Sequence, residues 1–220
     1  MDFQRARSED QIQNRIQEIV DAVSSIYSSV GYEGLNFSII SKYTKFTRPS
    51  IYKYFKTKDE ILLVILKDEF KSFVSDLITS FKINKLYSLY EISEIWTDRF
   101  IEHKKILDLY SILYTAIEKN VSLELLVETK KELNMINSQL ADFIGQLFPS
   151  ASNDSITNFI ASMLSLAGGI YSMSNLSDLQ LEAIKLSGLD YTTLDFKKEF
   201  MASIYQQMYC LKNSIEVKKE

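Results

Sequence analysis

The stretch Asn36–Leu62 reads NFSIISKYTKFTRPSIYKYFKTKDEIL, and its capping residues predict the starts of three helices. Asn36, Thr47 and Thr57 are residues whose side chains accept hydrogen bonds from the free N–H groups of a first helical turn. Pro49 falls in the first turn of the second helix, where its missing N–H costs little. The stretch therefore predicts two short helices joined by a tight turn and followed by a long helix, which is the pattern of a helix-turn-helix.

The second short helix has one apolar face and one polar, basic face. Ile51 and Phe55 lie four residues apart, which places them on one side of a helix and predicts that they pack inward. The outward side carries a cation, two phenols, a hydroxyl group and a proline edge, from Lys53, Tyr52, Tyr54, Ser50 and Pro49. Such a face suits a DNA duplex, because phosphates accept hydrogen bonds from Lys and Tyr and base edges accept them from Arg and Ser. A solvated basic face on an ordinary helical hairpin is the simpler alternative.

This region resembles the DNA-binding region of the TetR family of bacterial transcriptional regulators. The matching elements are Gly31-Tyr32, Phe37, Ile40, Phe46-Thr47 and the run Ile51–Lys58. In the family, the residue at Lys58 opens the fourth helix and contacts a phosphate. The resemblance further implies that the second short helix faces the major groove or its flanking backbone. The predicted DNA-binding residues are Asn36, Ser38, Thr47, Arg48, Pro49, Ser50, Tyr52, Lys53, Tyr54 and Lys58.

Two local details of the helix-turn-helix are further predictions. The family often has a small residue followed by glycine in the turn, whereas this chain has Thr44 and Lys45 there. We therefore expect Lys45 to adopt a left-handed conformation without the freedom of glycine. Glu60 follows Thr57 by three residues, which is the spacing of a capping box at the start of the long helix.

Composition places the chain among globular, helix-rich proteins. Of its 220 residues, 46% are apolar and 25% are charged, and with only six glycines and two prolines long helices are favoured over a turn-rich β fold. The net charge of −4 is unevenly distributed: residues 1–58 hold nine Lys or Arg and six acids, and the remainder holds 16 and 23. A basic amino end on an acidic body fits DNA contact confined to that end.

The chain carries no sequence signal for export or for a membrane. Cys210 is the only cysteine, so no intrachain disulfide can form and a reducing cytoplasm is the expected location. The first fifteen residues lack the apolar core of a signal peptide. We find no stretch of about 18 apolar residues, and we therefore expect no membrane-spanning segment.

The predicted fold is all-α, with a helix-turn-helix DNA-binding domain at residues 1–58 and a helical regulatory and dimerisation domain at residues 59–220. The first helix has an apolar stripe from Ile12 to Val30 and should end at Gly31. Before it, Arg5 and Arg7 either contact phosphate or belong to an ordinary frayed terminus. The long helix should run from Lys58 to about Lys82 and join the domains. Later helices are expected at about 88–103, 105–118, 121–147, 153–176 and 191–212.

The last two long helices, at about 153–176 and 191–212, are too apolar to be covered by a small domain alone. The segment Ala161–Gly169 is rich in small residues that permit close helix approach. The resemblance implies that these helices form a four-helix bundle in a homodimer. Two recognition helices must also enter major grooves about one helical turn, roughly 34 Å, apart. Alternatively, the two helices complete a monomeric core.

The sequence contains no recognisable catalytic, metal or cofactor site. His103 and Cys210 are each the only residue of their kind and lie far apart in the chain, and no HExxH, CxxC, GxSxG or phosphate-binding glycine loop is present. We expect His103 to be a partly exposed residue near a helix end, favoured there by the helix dipole. We expect Cys210 to be a small core or interface residue.

Aromatic and methionine side chains in the carboxyl part could line a cavity for an apolar or aromatic effector. The residues predicted to bind such a ligand are Trp96, Phe100, Tyr110, Tyr114, Met135, Met163 and Tyr171, with Phe143, Phe159 and Met173 as further candidates. The resemblance implies that an inducer pocket exists without indicating its residues. Residues at this helical spacing more often belong to an ordinary core.

Three functional hypotheses follow. The first is a homodimeric regulator, most simply a repressor, that binds a palindromic DNA operator and responds to a small effector. The second is a helical protein-interaction module whose basic hairpin binds an acidic partner, and the salt dependence of binding together with a sequence-specific footprint separates the two. The third is an all-α enzyme, which would need turnover without a recognisable catalytic constellation.

Overall fold

A computed structural model describes the backbone of residues 2–215 and the side chains of residues 10–215. Within that range the chain contains helices and no strand, which confirms the predicted all-α fold. The helices are α1 Asp2–Gly34, α2 Phe37–Tyr43, α3 Arg48–Tyr52, α4 Lys58–Thr79, α5 Leu89–Glu102, α6 Lys104–Ser111, α7 Leu123–Leu147, α8 Asn153–Ser174, α9 Asp178–Leu186 and α10 Phe196–Lys212, with a 3-10 helix at Ile117–Asn120.

The described chain divides into two compact units. Residues up to Asp68 together with Leu113–Lys130 form the first unit, and Glu69–Ile112 together with the residues from Lys131 onward form the second. α4 is a single helix with residues in both units. The division of the chain into two functional domains, with the boundary between residues 58 and 59, stays a prediction.

In the first unit, α1 packs through the second half of its predicted apolar stripe. Ile19, Val20 and Val23 are buried, whereas Ile12 is 44% exposed, so the stripe is solvated before Ile19. The backbone leaves the helical conformation at Gly31, as predicted, with φ 63° and ψ −177°, and one further turn reaches the end of the helix. The side chains of Arg5 and Arg7 lie outside the described residues.

The turn between α2 and α3 differs from the prediction that Lys45 is left-handed. Among the described residues, the non-glycine residues with positive φ are Asn84 and Ser214, so the prediction for Lys45 is wrong. Thr44 is extended instead, with φ −129° and ψ 170°, and its hydroxyl accepts a 3.2 Å hydrogen bond from the backbone N–H of Phe46. This local side-chain bond closes the turn without a left-handed residue.

Aromatic rings form much of the core of the second unit. The ring of Phe100 lies 4.4 Å from that of Phe73 and 5.2 Å from that of Phe200, measured between centroids. Trp96 and Phe159 meet edge to face at 5.9 Å. α8 packs against α6 and α10, and α10 also packs against α5. These contacts bury large apolar area, which is the main source of stability in such a helical unit.

Two helices in this part of the chain have boundaries well away from those predicted, and one short helix was not predicted. The helix expected at 105–118 ends at Ser111, and turns lead from it to the 3-10 helix. The helix expected from residue 191 begins at Phe196, because Asp195 caps it by accepting from the N–H of Lys198 at 3.0 Å. The short helix α9 was not predicted, although its capping box, Ser177 with Gln180, is visible in the sequence.

By length and composition, α8 could cross a membrane, which the sequence prediction overlooked. Its serines and glycines interrupt every purely apolar run, so a search for uninterrupted apolar residues misses it. The core helix of a soluble protein passes the same test. Phe159, Met163 and Ala167 are buried in the second unit, which fits a core helix.

The backbone conformation of Lys45 can be tested with the pair Lys45→Gly and Lys45→Ala. Both variants lose the ammonium that lies 3.1 Å from the Glu18 carboxylate and 5.6 Å from the Phe46 ring centroid. At negative φ, glycine should be less stable than alanine by about 0.5–1 kcal/mol, because it loses more backbone entropy on folding. Urea unfolding measures this difference in the free energy of unfolding. A glycine variant more stable than the alanine variant would indicate a left-handed residue 45 and would contradict the structure.

Candidate nucleic-acid interface

α2 is fixed by its cap and its apolar side. The Asn36 side-chain oxygen accepts hydrogen bonds from the backbone N–H groups of Ser38 and Ile39, both at 3.0 Å, which confirms the predicted N-cap. Phe37 and Ile40 are buried, so the helix packs through the face that carries them. Asn36 and Ser38 remain exposed.

α3 is a single short helix held at both ends. The Thr47 hydroxyl accepts from the N–H of Ser50 at 3.3 Å, and a proline stands in the first turn, as predicted. Ile51 is fully buried and Phe55 is 4% exposed, which confirms the predicted inward face. The ring of Tyr52 meets that of Phe37 edge to face at 4.7 Å and thereby joins α3 to α2. Packing and capping therefore compensate for the small intrinsic stability of a five-residue helix.

The opposite side of α3 is open to solvent. Arg48, Pro49 and Lys53 are exposed, Tyr52 is 58% exposed, and Ser50 is half-buried. This side therefore presents two cations, a phenol and a hydroxyl to an incoming molecule. No acidic residue lies between Asn36 and Lys58, and the next two acids along the chain are buried. The local charge is thus positive and favours phosphate.

Half of the predicted DNA-binding residues line one surface cleft of about 320 Å³. The residues of this cleft, here called the basic cleft, are Asn36, Phe37, Ser38, Arg48, Tyr52, Lys56, Thr57 and Lys58. Lys56 was absent from the predicted set, although its place in an acid-free basic run was a visible signal. Tyr54 lies apart from the cleft, in a second depression with Gln11, Asn14 and Arg15 of α1.

The ammonium of Lys58 is held within the first unit. Its Nζ donates to the backbone carbonyl of Tyr32 at 2.6 Å and lies 3.8 Å from the centroid of the Tyr32 ring. An ammonium has three donors, so two remain for a phosphate at the cleft that Lys58 lines. The Tyr32 hydroxyl donates to Asp59, 5% exposed, at 2.8 Å. Burial and this bond to Asp59 raise the pKa of Tyr32 to about 12.

Of the two hydrogen bonds that make up the capping box predicted at the start of α4, one is present and the other is not. The Thr57 hydroxyl accepts from the N–H of Glu60 at 3.2 Å, which confirms the cap. The Glu60 carboxylate reaches back to the N–H of Lys56 at 2.6 Å, one residue earlier than a capping box requires. The predicted reciprocal bond to Thr57 is thus wrong, because the turn before α4 directs the Lys56 N–H toward the carboxylate.

Comparisons with known proteins agree with this geometry. A family model described as "Bacterial regulatory proteins, tetR family" matches residues 19–65. A second, "Tetracyclin repressor-like, C-terminal domain", matches residues 67–208. The chain belongs to the TetR family. TetR family regulators bind DNA and act as dimers, they typically bind a ligand, and they are transcription regulators and not enzymes.

Solved structures show the same fold at low sequence identity. A transcriptional regulator of the TerR/AcrR family from Aquifex aeolicus VF5 has a TM-score of 0.51 and 16% identity, over 87% of this chain and 98% of that chain. A tetR family transcription regulator from Shewanella sp. PV-4 has a TM-score of 0.52 and 11% identity, over 93% and 99% of the two chains. No curated protein matches the chain in sequence.

The residues predicted to bind an effector differ widely in exposure. Trp96, Phe100 and Met163 are fully buried, and the Trp96 indole N–H lies 2.8 Å from the Met163 sulfur. Tyr114 and Met135 are 56% and 60% exposed. The half-buried pair Tyr110 and Tyr171 completes the predicted set. Pocket membership of these residues stays a prediction.

A half-buried acid lies close to one of the predicted ligand-binding tyrosines. Burial raises the pKa of Asp108 against the opposing effect of Lys104. Burial, together with the charge of Asp108, also raises the pKa of the Tyr171 hydroxyl. Tyr171 packs edge to face on Phe196 at 5.7 Å.

His103 lies partly exposed near a helix end, as predicted, whereas Cys210 does not lie in a core. The His103 side chain is only 11% exposed, and its Nε2 and Nδ1 lie 3.0 Å from Asp76 and 3.5 Å from Glu69. It follows the end of α5 as predicted, but these acids and the neighbouring Phe73 ring cover it. Cys210 is exposed, so a core position is wrong and an interface position stays a prediction. Within the described residues, no group of three His, Cys, Asp or Glu could hold a metal ion.

Tyr32→Phe tests the bond between Tyr32 and Asp59. The variant keeps the ring beneath Lys58 but leaves a buried carboxylate oxygen without its donor, so the free energy of unfolding should fall by about 1–3 kcal/mol near neutral pH. The unfolded chain releases the tyrosine proton from about pH 10, whereas the folded protein keeps it to about pH 12. The advantage of the wild type should therefore shrink as pH rises through that window.

Urea unfolding of both proteins at neutral pH and across pH 10–12 measures this difference. Equal stability at neutral pH, or a constant gap across the alkaline window, would contradict the proposed role of the bond.

Proposed function

We propose that this regulator is a ligand-responsive repressor that acts in the cytoplasm and binds a palindromic operator as a homodimer. The observation that carries the proposal is the basic cleft next to the exposed side of α3. Three cations of one surface, Arg48, Lys56 and Lys58, line that cleft, and a fourth, Lys53, is exposed at the C-cap of α3. A duplex offers the phosphates and base edges that such a surface contacts.

The side chains of this surface would divide their roles by chemistry. Arg48 and Ser50 would read base edges in the major groove, and Pro49 would touch a thymine methyl group. The remaining cations and phenols of the predicted set would bind phosphates: Tyr52, Lys53, Tyr54 and Lys58. Lys56, which was outside that set, would bind a phosphate too. Asn36, Ser38 and Thr47 lie at the starts of the two short helices, where they can contact the flanking backbone.

Homodimerisation would use the open side of α8 and α10. Along α8 this side consists of small or apolar exposed residues at helical spacing: Ala161, Ser162, Ser165, Leu166, Gly169 and Met173. On α10, Tyr205 and Tyr209 are 39% and 50% exposed. Small side chains allow two helices to approach closely, and tyrosines supply large contact area at an interface. A twofold dimer also supports two half-sites about one helical turn apart.

The effector would be apolar or aromatic and would bind in the second unit. The neighbourhood of Asp108 and Tyr171 offers polar groups that could orient such a molecule next to an aromatic core. α4 would carry the response, because it is one continuous helix that begins beside the basic cleft. A change in the direction of α4 would move the two recognition helices out of register and release DNA.

Arg48→Ala and Lys53→Ala form a matched pair that tests the DNA-binding surface, because each removes one exposed cation, the first from the start of α3 and the second from its C-cap. Sequences bound by the wild type are first selected from random duplexes. Arg48→Ala should lose about 1–3 kcal/mol of discrimination at one base pair, because a base contact is lost. Lys53→Ala should weaken all duplexes alike and lower the slope of log K against log salt by about 0.9.

Fluorescence anisotropy on the selected duplex and on a shuffled one, across a salt series, measures both effects. Equal losses on both duplexes for Arg48→Ala would remove its base-reading role. A wild type that selects no sequence and binds DNA without salt dependence would contradict the proposed function.

The dimer surface can be tested with Ser165→Arg against Ser138→Arg. Both serines are exposed, and both donate to the backbone carbonyl four residues earlier in their helix, α8 and α7 respectively. Arginine at 165 should place a bulky charge in the centre of the interface and yield a monomer, whereas arginine at 138 should leave the dimer intact. Sedimentation equilibrium distinguishes the two, and a dimeric Ser165→Arg variant would exclude this face of α8.

A further inference from the structure

Glu60 connects two segments of the first unit that are far apart in sequence. Glu60 is 4% exposed, and each oxygen of its carboxylate accepts one backbone N–H. Oε2 accepts from Lys56 at 2.6 Å, and Oε1 accepts from Ser122 at 3.2 Å. Capping of α4 explains the first bond, since acids favour the first turn of a helix. The second bond joins the start of α4 to the start of α7 and has no part in that capping.

A second bond runs parallel to it. The Thr57 hydroxyl donates to the backbone carbonyl of Asn120 at 2.8 Å. The segment that receives it is itself fixed: the Asn120 side chain donates to the carbonyl of Ala116 at 3.0 Å, and Ile117 is fully buried. The 3-10 helix and the two residues after it therefore form a firm base for the turn that precedes α4.

The turn held in this way carries part of the DNA-binding surface. Lys56, Thr57 and Lys58 all line the basic cleft, and the backbone of Lys56 is bonded directly to Glu60. Both bonds of the Glu60 carboxylate are charge-assisted and part-buried, so the loss of one donor leaves a carboxylate oxygen of a buried residue unsatisfied. The response to a lost donor that costs the least free energy is a movement of the carboxylate, and the N–H of Lys56 must move with it.

We propose that Glu60 is a positioning residue for DNA binding, which fixes the Lys56–Lys58 turn to the segment Asn120–Ser122. DNA affinity then depends on a backbone N–H at residue 122, although residue 122 contacts no DNA. The inference rests on the proposed DNA-binding function of the basic cleft. A displacement of the 3-10 helix would then loosen the turn that carries two cations of the basic cleft, Lys56 and Lys58.

Ser122→Pro and Ser122→Ala separate this role from ordinary stability. Both variants lose the hydroxyl, and only proline also loses the N–H that donates to Glu60. The preceding residue, Val121, has φ −115° and ψ 160°, which is the extended conformation that proline requires before it. We expect Ser122→Ala to bind the selected duplex like the wild type. Ser122→Pro should bind about tenfold more weakly, with a salt slope lower by about 0.9 for one lost phosphate contact.

Amide hydrogen exchange at Lys56, followed by NMR, gives a second measurement that needs no DNA. The Lys56 N–H is bonded to the carboxylate that Ser122→Pro releases, so its exchange should be faster in that variant than in Ser122→Ala. Thermal unfolding of both variants shows that they are folded during the comparison. Equal Lys56 exchange in the two variants overturns the proposal whether or not the chain binds DNA. Faster exchange with unchanged DNA affinity overturns it too, because the turn would then not position the cleft.

Glu60→Gln provides an independent variant if proline at 122 prevents folding. The amide has one acceptor oxygen in place of two, so one of the N–H groups of Lys56 and Ser122 faces an NH₂ group. We expect the same weaker DNA binding and faster Lys56 exchange. Unchanged values of both overturn the proposal. A wild type that binds no DNA, with Lys56 exchange that responds to the variants, rejects the proposed function while retaining the connection between the two segments.

Discussion

Two buried carboxylates at the first turn of α4 hold the helix-turn-helix in place. Asp59 accepts from the Tyr32 hydroxyl, and Glu60 accepts backbone N–H groups from Lys56 and Ser122. Both acids lie where the helix dipole favours negative charge, and their donors satisfy them in a site with little water. The exposed surface around α3 is therefore positive, because the nearest acids are turned inward. The same bonds that stabilise the first unit thus keep two acids away from the surface around α3.

Much of the DNA-binding region could be predicted from local chemistry. The caps Asn36, Thr47 and Thr57 and the buried pair Ile51 and Phe55 follow from residue type and spacing alone, and the structure confirms them. Local rules failed where a distant or neighbouring group competed. Thr44 closed the turn through its own hydroxyl, so Lys45 did not need a left-handed conformation, and Glu60 found donors other than Thr57. Pairing between residues 62 positions apart is not encoded in any local spacing.

The second unit was predictable in class and less so in detail. Apolar periodicity located α5, α7, α8 and α10, but it could not show that one predicted helix ends at Ser111 or that α9 exists. No side chain of α9 is fully buried, and Leu179 and Leu186 are 81% and 77% exposed, so this helix lacks the buried apolar face on which a periodicity prediction depends. The effector-binding set was the least predictable part. Aromatic residues at helical spacing form cores more often than pockets, and Trp96 and Phe100 belong to such a core.

Hydrogen-exchange mass spectrometry tests directly whether residues 36–58 carry the DNA-binding surface. The full chain is measured at low salt with and without a random-sequence duplex. At low salt even non-specific binding is strong, because phosphate contacts dominate the affinity. Amide exchange in residues 36–58 should become slower when DNA is added, whereas exchange in α5 and α6 should not change. Unchanged exchange in residues 36–58, while the protein demonstrably binds the duplex, would contradict this prediction and would place the DNA-binding surface elsewhere on the chain.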